Sequence, residues 1–441
     1  MQEAIVILDQ GRRQLHLGAF TNYVGHHMAA WRYPQADTTS SLKFDFYKRI
    51  AQSAERGKFD MLFLGDSLYT ETENLYKHHT TARLEPLTIL ASLLAVTDYI
   101  GLGATVSTSF NEPYNVARKL ATLDHLSNGR AAWNVVTSSN DKEAQNYNRQ
   151  KHYQHDFRYE RAAEFLDVVK RLWNSWEEDA LIMDKESGVY ADLDKLHPIN
   201  HTGVHFTVKG PLNIPRSMQG HPVVMQAGLS HRARQFAVRE AEVLFTIASS
   251  IEKSKQDYAE IKGQLSLFGR APKDLKIMPG LLAIVGKTQK EAEDKERELQ
   301  QLVIPEFAVR LLSNQLNVDL SGYPLDGPLP ALSDVAHFNG EKGRYEHFLA
   351  LAQKENLTIR QLSLRLTRGH GHLTMTGTPS VIAEQMAEWF ASEACDGFNV
   401  MFPYLPGALD DFVHEVIPIL QERGIYRTEY TGTTLRSHLN D

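Results

Sequence analysis

Eight short apolar segments, rich in Val, Ile, Leu and Phe, recur along this chain, and most are followed by a stretch with helical periodicity. They span 15–20, 59–66, 100–107, 131–138, 223–228, 243–248, 275–285 and 397–403. Strands that alternate with amphipathic helices must run parallel, because each return crossing passes through a helix packed on the sheet. Eight such units can close on themselves, so the expected fold is an α/β TIM (β/α)8 barrel. The intervening helices carry the required faces: Phe165, Val168, Val169, Leu172 and Trp173 share one side, with Glu164, Lys170 and Arg171 opposite. Near the end, Thr378-Pro379 supplies a cap and a first-turn proline for a helix bearing Ile382, Met386, Trp389 and Phe390.

Two intervals exceed simple connections. About 177–222 separates the fourth helix from the fifth strand, and about 287–377 separates the seventh strand from the eighth. Long barrel insertions usually cover the active face, so either could serve as a lid. No linker-like composition divides the chain, and residues 1–441 are read as one barrel domain.

Composition narrows the function classes. A net charge of -7 offers no basic surface for nucleic acid or anionic membrane. The lone cysteine, Cys395, cannot form an internal disulfide and suits a buried thiol in a reducing compartment. The opening apolar run Ala4 to Leu8 is too brief for a signal-peptide core, and the longest apolar stretch, around Leu87 to Val96, is broken by Thr88 and Ser92. A cytoplasmic location is expected.

Nucleotide signatures fail on spacing. Gly101-Leu102-Gly103 lacks the third glycine of a dinucleotide turn, and five residues, not four, separate Gly280 from Gly286-Lys287-Thr288. The 19 histidines include the pairs His26-His27, His78-His79, His152/His155 and His370/His372, which leave a metal-dependent barrel hydrolase as an alternative. His370-x-His372 falls in the late insertion, not after an early strand, and His78, His79 and His372 are read as ordinary loop histidines. No metal site is expected.

Function in such a barrel gathers at the C-terminal ends of the strands. Polar residues end five of them: Thr21 to His26, Asp66, Thr105 to Ser109, Asn134 to Ser138, and Gln226 to Ser230. A phosphate wants hydroxyls, backbone N–H groups and a cation, which Arg158, Tyr159, Gly228, Leu229 and Ser230 at a helix start can supply. A polar ring wants donors and acceptors, for which Asp66, Thr105, Asn134 and His155 are suited.

Several longer words strengthen this reading. They are Trp31-Arg32-x-Pro34, Phe63-Leu64-x-Asp66, Thr122-Leu123-Asp124-His125-Leu126-Ser127-x-Gly129-Arg130, Ala132-Trp133-Asn134-Val135-Val136-Thr137-Ser138, His155-x-x-Arg158-Tyr159, Gln226-Ala227-Gly228 and Gln421-Glu422-Arg423-Gly424-Ile425-Tyr426-Arg427. In order and spacing the chain resembles, over essentially its whole length, the FMN-dependent monooxygenases of the bacterial-luciferase-like superfamily, in the branch of nitrilotriacetate, dibenzothiophene-sulfone and long-chain-alkane monooxygenases.

The resemblance implies an oxygenase component that uses O2 and reduced FMN supplied by a separate NAD(P)H:FMN reductase, and a homodimer or homotetramer. It assigns flavin contacts to Asp66, Thr105, His155, Tyr159 and the segment around Ser230. It places His26 in the catalytic pocket as a proton donor or substrate orienter; Asn134, at the tip of the fourth strand, is the second catalytic candidate. The cysteine that lies three residues before that histidine in alkane oxidisers is Tyr23 here, which argues against the alternative of long-chain alkane hydroxylation. The segments His205-Phe206-Thr207-Val208-Lys209-Gly210-Pro211-Leu212-Asn213-Ile214 and Leu320-Ser321-Gly322-Tyr323-Pro324-Leu325-Asp326 look most like the nitrilotriacetate and S-substituted-cysteine oxidisers. Oxidation of a small carboxylated organosulfur or amine substrate, with C–S or C–N cleavage, follows from that likeness. Pro211 to Ser217 and the late histidines are expected to contact substrate. Asp124, His125 and Arg130 fall on the opposite face and are read as structural fasteners.

Overall fold

A computed structural model describes residues 13–70, 82–228, 230–332 and 338–440. Eight parallel strands close a barrel: β1 (His16–Thr21), β2 (Met61–Leu64), β3 (Gly101–Ser107), β4 (Ala131–Val136), β7 (Val223–Ala227), β8 (Val243–Thr246), β9 (Lys276–Val285) and β11 (Gly397–Met401). Closure runs through β8 to β9, β9 to β11 and β11 to β1, with Phe20 beside Met401 and Phe63, and Thr105 beside Asn134. All eight apolar segments of the sequence are therefore barrel strands.

Alternation along each strand separates two apolar sets. One set faces the lumen: Met61, Phe63, Ala132, Val223, Met225, Val243, Phe245 and Met278 fill it, and Leu435 and Leu439 of α15 (Leu435–Leu439) join them. The other faces the helical shell, where Trp133, Val135, Leu102 and Leu62 pack with Phe165, Val168, Val169, Leu172 and Trp173 of α5 (His155–Trp173). Each such fully buried side chain contributes about 1.5–3 kcal/mol.

At the N-terminal end of the barrel, polar fasteners do the joining. Asp60 is fully buried and accepts from Leu17 N at 2.6 Å and from Arg427 at 2.7 Å, with His16 Nδ1 3.1 Å away. Burial opposes its charge, but Arg427 and His16 hold its carboxyl well below the usual range. Asp124 accepts from Ser217 Oγ, Gln219 Nε2 and Ala131 N, and Arg130 donates to the carbonyls of Ser127, Ile100 and Thr97.

One strand escaped the sequence reading. β10 (Leu373–Gly377) pairs in parallel with the second half of β9, Leu373 opposite Leu281, whereas β8 pairs only with Lys276 to Pro279. The ten-residue β9 is thus shared lengthwise by two strands on one edge. Leu-Thr-Met-Thr-Gly gives no continuous apolar run, because only Met375 and Gly377 are buried.

The insertions lie in different places. The segment 177–222 leaves the C-terminal end of α5 and carries the short ribbon β5 (His201–Thr202) and β6 (Thr207–Val208) along the outside of that helix. Glu164 accepts from His205 N and Phe206 N, and Phe206 packs edge-on against Phe165. The segment 287–377 instead starts from the tip of β9. It contains α8 (Gln289–Gln301), α9 (Pro305–Leu316), α10 (Lys342–Lys354) and α11 (Ile359–Gly369), the last three sharing an apolar cluster of their own.

Candidate active site

Two adjoining cavities open at the C-terminal end of the barrel. The first, about 880 Å³ out to its mouth, is lined by His155, Arg158, Tyr159, Gly228, Arg344 and His372 among others. The second is lined by Asp66, Thr105, Asp141, Glu143 and the 338–341 stretch. Val136, Ser138, Ser139, Gly340 and Glu341 line both, so the two form one continuous groove.

One wall of the first cavity is a cradle whose groups suit an anion. Ser230, two residues beyond the lining residue Gly228, caps α6 (His231–Glu240), accepting from Ala233 N at 3.2 Å. Gly228 has φ +142°, a backbone conformation that L side chains rarely adopt, and a Cβ there would come within 3.0 Å of Ala233 Cβ. The Tyr159 phenol hydrogen-bonds to Ser230 and Thr137, and burial pushes its pKa up, so it stays a neutral donor. Arg158 is buried; it donates to Tyr153 O at 3.1 Å and Asn339 O at 2.9 Å. Its Nε has no hydrogen-bond partner among the described residues. His155 opens α5 with Nδ1 3.0 Å from Asp156 Oδ1, and burial lowers its pKa, which favours the neutral ring. Leu229 lies outside the described residues.

The second cavity holds the ring-binding candidates. Asp66 follows β2 and accepts from Ser67 N at 2.8 Å, with Arg83 3.9 Å away. Burial, with Glu85 and Glu143 adding like charge, raises its carboxyl to about 6. Thr105 Oγ1 accepts from Asn134 Nδ2 at 3.0 Å. Asn134 itself is buried beside Thr105, and its Oδ1 has no hydrogen-bond partner among the described residues. An unspent acceptor below the groove and an unspent donor in the cradle fit a ligand with a polar ring and an anionic tail.

His26 sits among the aromatic rings of the lumen. Its backbone N donates to Phe402 O at 2.8 Å, and its ring lies 4.6 Å from Phe20, which stacks on Phe63 and meets Phe245 edge-on. It is not among the described residues lining either cavity. His372, read as an ordinary loop histidine by its spacing but also among the late histidines expected near substrate, lines the first cavity with its ring parallel to Phe245 at 5.0 Å. Lys342 and Arg344 line it too and were not anticipated, because nothing local in a charged helix start marks it as pocket wall. Pro211 to Ser217, expected to meet substrate, is corrected: Tyr114 and His125 of α3 (Pro113–Leu126) hold Pro211 O and Pro215 O, and Ser217 bonds Asp124 at the far end of the barrel. His78 and His79 lie outside the described residues.

Comparison with known proteins decides the family: residues 25–394 match the model of luciferase-like monooxygenases. The chain belongs to that family. It is 47% identical to the N-acetyl-S-(2-succino)cysteine monooxygenase of Bacillus subtilis (strain 168), over 97% of this chain and 96% of that one. It is 45% identical to nitrilotriacetate monooxygenase component A of Aminobacter aminovorans, over 97% and 96% of the two chains. Among solved structures, riboflavin lyase (RcaE) with modified FMN and its substrate riboflavin superposes with a TM-score of 0.87 at 32% identity, covering 97% of this chain and 96% of that one.

This luciferase-like monooxygenase is therefore a flavin-dependent enzyme that uses reduced FMN and O2. Its cradle and its two unspent polar atoms suit that cofactor. Among the described residues no group of three or more His, Cys, Asp or Glu stands close enough to hold a metal, and the metal-hydrolase alternative has no support among the relatives. No helix among the described residues is long and apolar enough to cross a membrane.

Proposed function

We propose that this chain is the oxygenase component of a two-component system, that a separate NAD(P)H:FMN reductase supplies its reduced FMN in the cytoplasm, and that its substrate is a small carboxylated thioether or amine. The two relatives named above, each matched at 45% identity or more along nearly the full length, act by name on such molecules and support this substrate class. Reduced FMN, when bound, supplies the two electrons with which O2 gives one atom to substrate and one to water. Hydroxylation of the carbon next to sulfur or nitrogen then yields an adduct that breaks its C–S or C–N bond and leaves a carbonyl product.

The residues divide the remaining work. Arg158, Tyr159, Gly228, Leu229 and Ser230 hold the phosphate by charge-assisted and backbone hydrogen bonds. Asp66, Thr105 and His155 engage the ring and ribityl chain, with Asn134 fixing the orientation of Thr105. His26, behind Phe20, positions substrate or moves a proton once that ring yields. The α9–α11 insertion excludes water from the groove.

The single observation that carries the reading is the cradle of Arg158, Tyr159 and Ser230 at the helix start, joined to the Asp66–Thr105 cavity. Incubation with a flavin reductase, NADH, FMN and N-acetyl-S-(2-succino)cysteine or nitrilotriacetate should give a carbonyl product and the released thiol or amine. Tyr159→Phe and Asp66→Ala should weaken FMN binding at least tenfold. Only hydrogen peroxide with both substrates, or unchanged FMN affinity in both variants, would refute it.

The protein is further proposed to assemble as a homodimer or homotetramer through the 177–222 insertion, where Ile182, Met183, Tyr190, Leu193 and Val204 leave apolar surface exposed.

A further inference from the structure

Part of the lining of the first cavity is built by two pieces of the late insertion that are pinned together. Arg344 lies in the first turn of α10, its side chain 25% exposed, with Nε 3.1 Å from Glu341 Oε2. Three residues on, so on the same helix face, His347 hydrogen-bonds to the backbone of Gly371. Phe348 packs so tightly there that a Cβ on Gly371 would come within 2.7 Å of its ring. These contacts fix α10 against the 370–372 turn, so Arg344 and His372 occupy one wall.

His372 is held as firmly from below. Its ring is stacked on Phe245 at 5.0 Å and 7°, and its Nδ1 sits over Gly280, where a Cβ would come within 2.4 Å. Nδ1 has no hydrogen-bond partner among the described residues. Burial first, then the positive charge of Arg344, keep the ring neutral, so one nitrogen donates while the other accepts. The charged residues described along this cavity are Arg158, Lys342, Arg344 and Glu341, an excess of cations. Arg158 is engaged at the cradle, where it donates to Tyr153 O and Asn339 O.

We propose that Arg344 and His372 form a carboxylate-reading subsite, which takes an acid group of the substrate while the neighbouring cradle holds the FMN phosphate. The inference deepens the proposed function and rests on it. A guanidinium offers a paired fork to a carboxylate, and a neutral imidazole beside it adds a directional bond without adding charge. Together they select acids over their esters and fix which carbon of the substrate faces the flavin.

The test reads binding rather than turnover, so it stays separate from the oxygenase assignment. The probe is N-acetyl-S-(2-succino)cysteine or its methyl-esterified form, titrated into the FMN-loaded protein and followed by the visible spectrum of the flavin. Wild type should bind the acid at least tenfold tighter than the ester. Arg344→Met should abolish that preference and leave the FMN dissociation constant within about twofold. Arg344→Lys should restore part of it, and His372→Gln should weaken the acid by a smaller factor. Equal binding of acid and ester by wild type, or an unchanged preference in Arg344→Met, would overturn the subsite. A parallel loss of FMN affinity in Arg344→Met would also overturn it, by returning Arg344 to the phosphate. Acid binding as expected without oxidation in the reductase-coupled assay would leave the subsite standing and reject the proposed reaction.

Discussion

The two long insertions are built on opposite physical terms. The one at 287–377 departs from the tip of β9 and carries Val309, Leu312, Tyr345, Phe348, Leu362 and Leu366 into an apolar cluster of its own. The one at 177–222 departs from the end of α5 and leaves Leu193 77% and Val204 90% exposed. A segment that follows a strand emerges over the C-terminal face, where sites form, whereas one that follows a helix emerges at the other end. Position within the β/α unit, not length, decides which insertion borders the groove.

The largest expected effect lies in the roof. Phe348 is fully buried in its cluster and also braces Gly371 next to His372. Phe348→Ala should cost about 3–5 kcal/mol locally. Hydrogen exchange should show lost protection in α9, α10 and α11 with the barrel strands unchanged. In the coupled assay, hydrogen peroxide should rise at the expense of product as water reaches the groove. Loss of protection that spread through β1 to β4 would show that roof and barrel unfold as one, and would remove the distinction between an independently packed roof and a flank pinned to the shell.

Much of this was legible in the sequence because burial leaves a periodic trace. The lumen and shell of the barrel follow from alternation in segments such as Ala131 to Val136, where Trp133 points to the helices and Asn134 inward. Asp66, Thr105 and Ser230 were marked by their place at strand tips or a helix start, and Tyr159 by its hydroxyl within a family word, and the groove gathers them or their bonded neighbours. What the sequence hid depends on tertiary neighbours. β10 is short and half-polar because it covers only the upper half of one strand, and His372 became pocket wall only because Gly280 left room beneath it. The Pro211 to Ser217 segment was misread by content, although its place after a helix already put it at the wrong end.

A second prediction separates the cost of a site from the stability of its surroundings. Asp66 is raised from 3.8 to about 6, so the native state binds its proton more tightly than the unfolded chain does. Stability must then fall as pH rises through that window, with the full cost present above about pH 6. Arg83 at 3.9 Å offsets part of it. Asp66→Asn should accordingly stabilise the FMN-free protein by about 1–2 kcal/mol at pH 7 and by almost nothing at pH 4, read from denaturant midpoints. FMN affinity should fall in the same variant. A stabilisation equal at both pH values would mean that the carboxyl carries no such strain.

The smallest effect on folding is expected in the outer insertion, and it is informative because it is small. Leu193 and Val204 make little use of their apolar surface within one chain, so Leu193→Ser with Val204→Ser should change the unfolding free energy of the isolated subunit by less than about 0.5 kcal/mol. Apolar side chains left so exposed are costly in water only if nothing covers them, and covering by a second copy would convert them into interface core. The doubly substituted protein should therefore sediment as a smaller species than wild type at equal concentration, while each remaining subunit keeps its affinity for FMN, since neither residue lines the groove. If the mass in solution were unchanged, these residues would lie outside the assembly contact. If FMN binding fell with it, the two insertions would not be the separate devices that their attachment points imply.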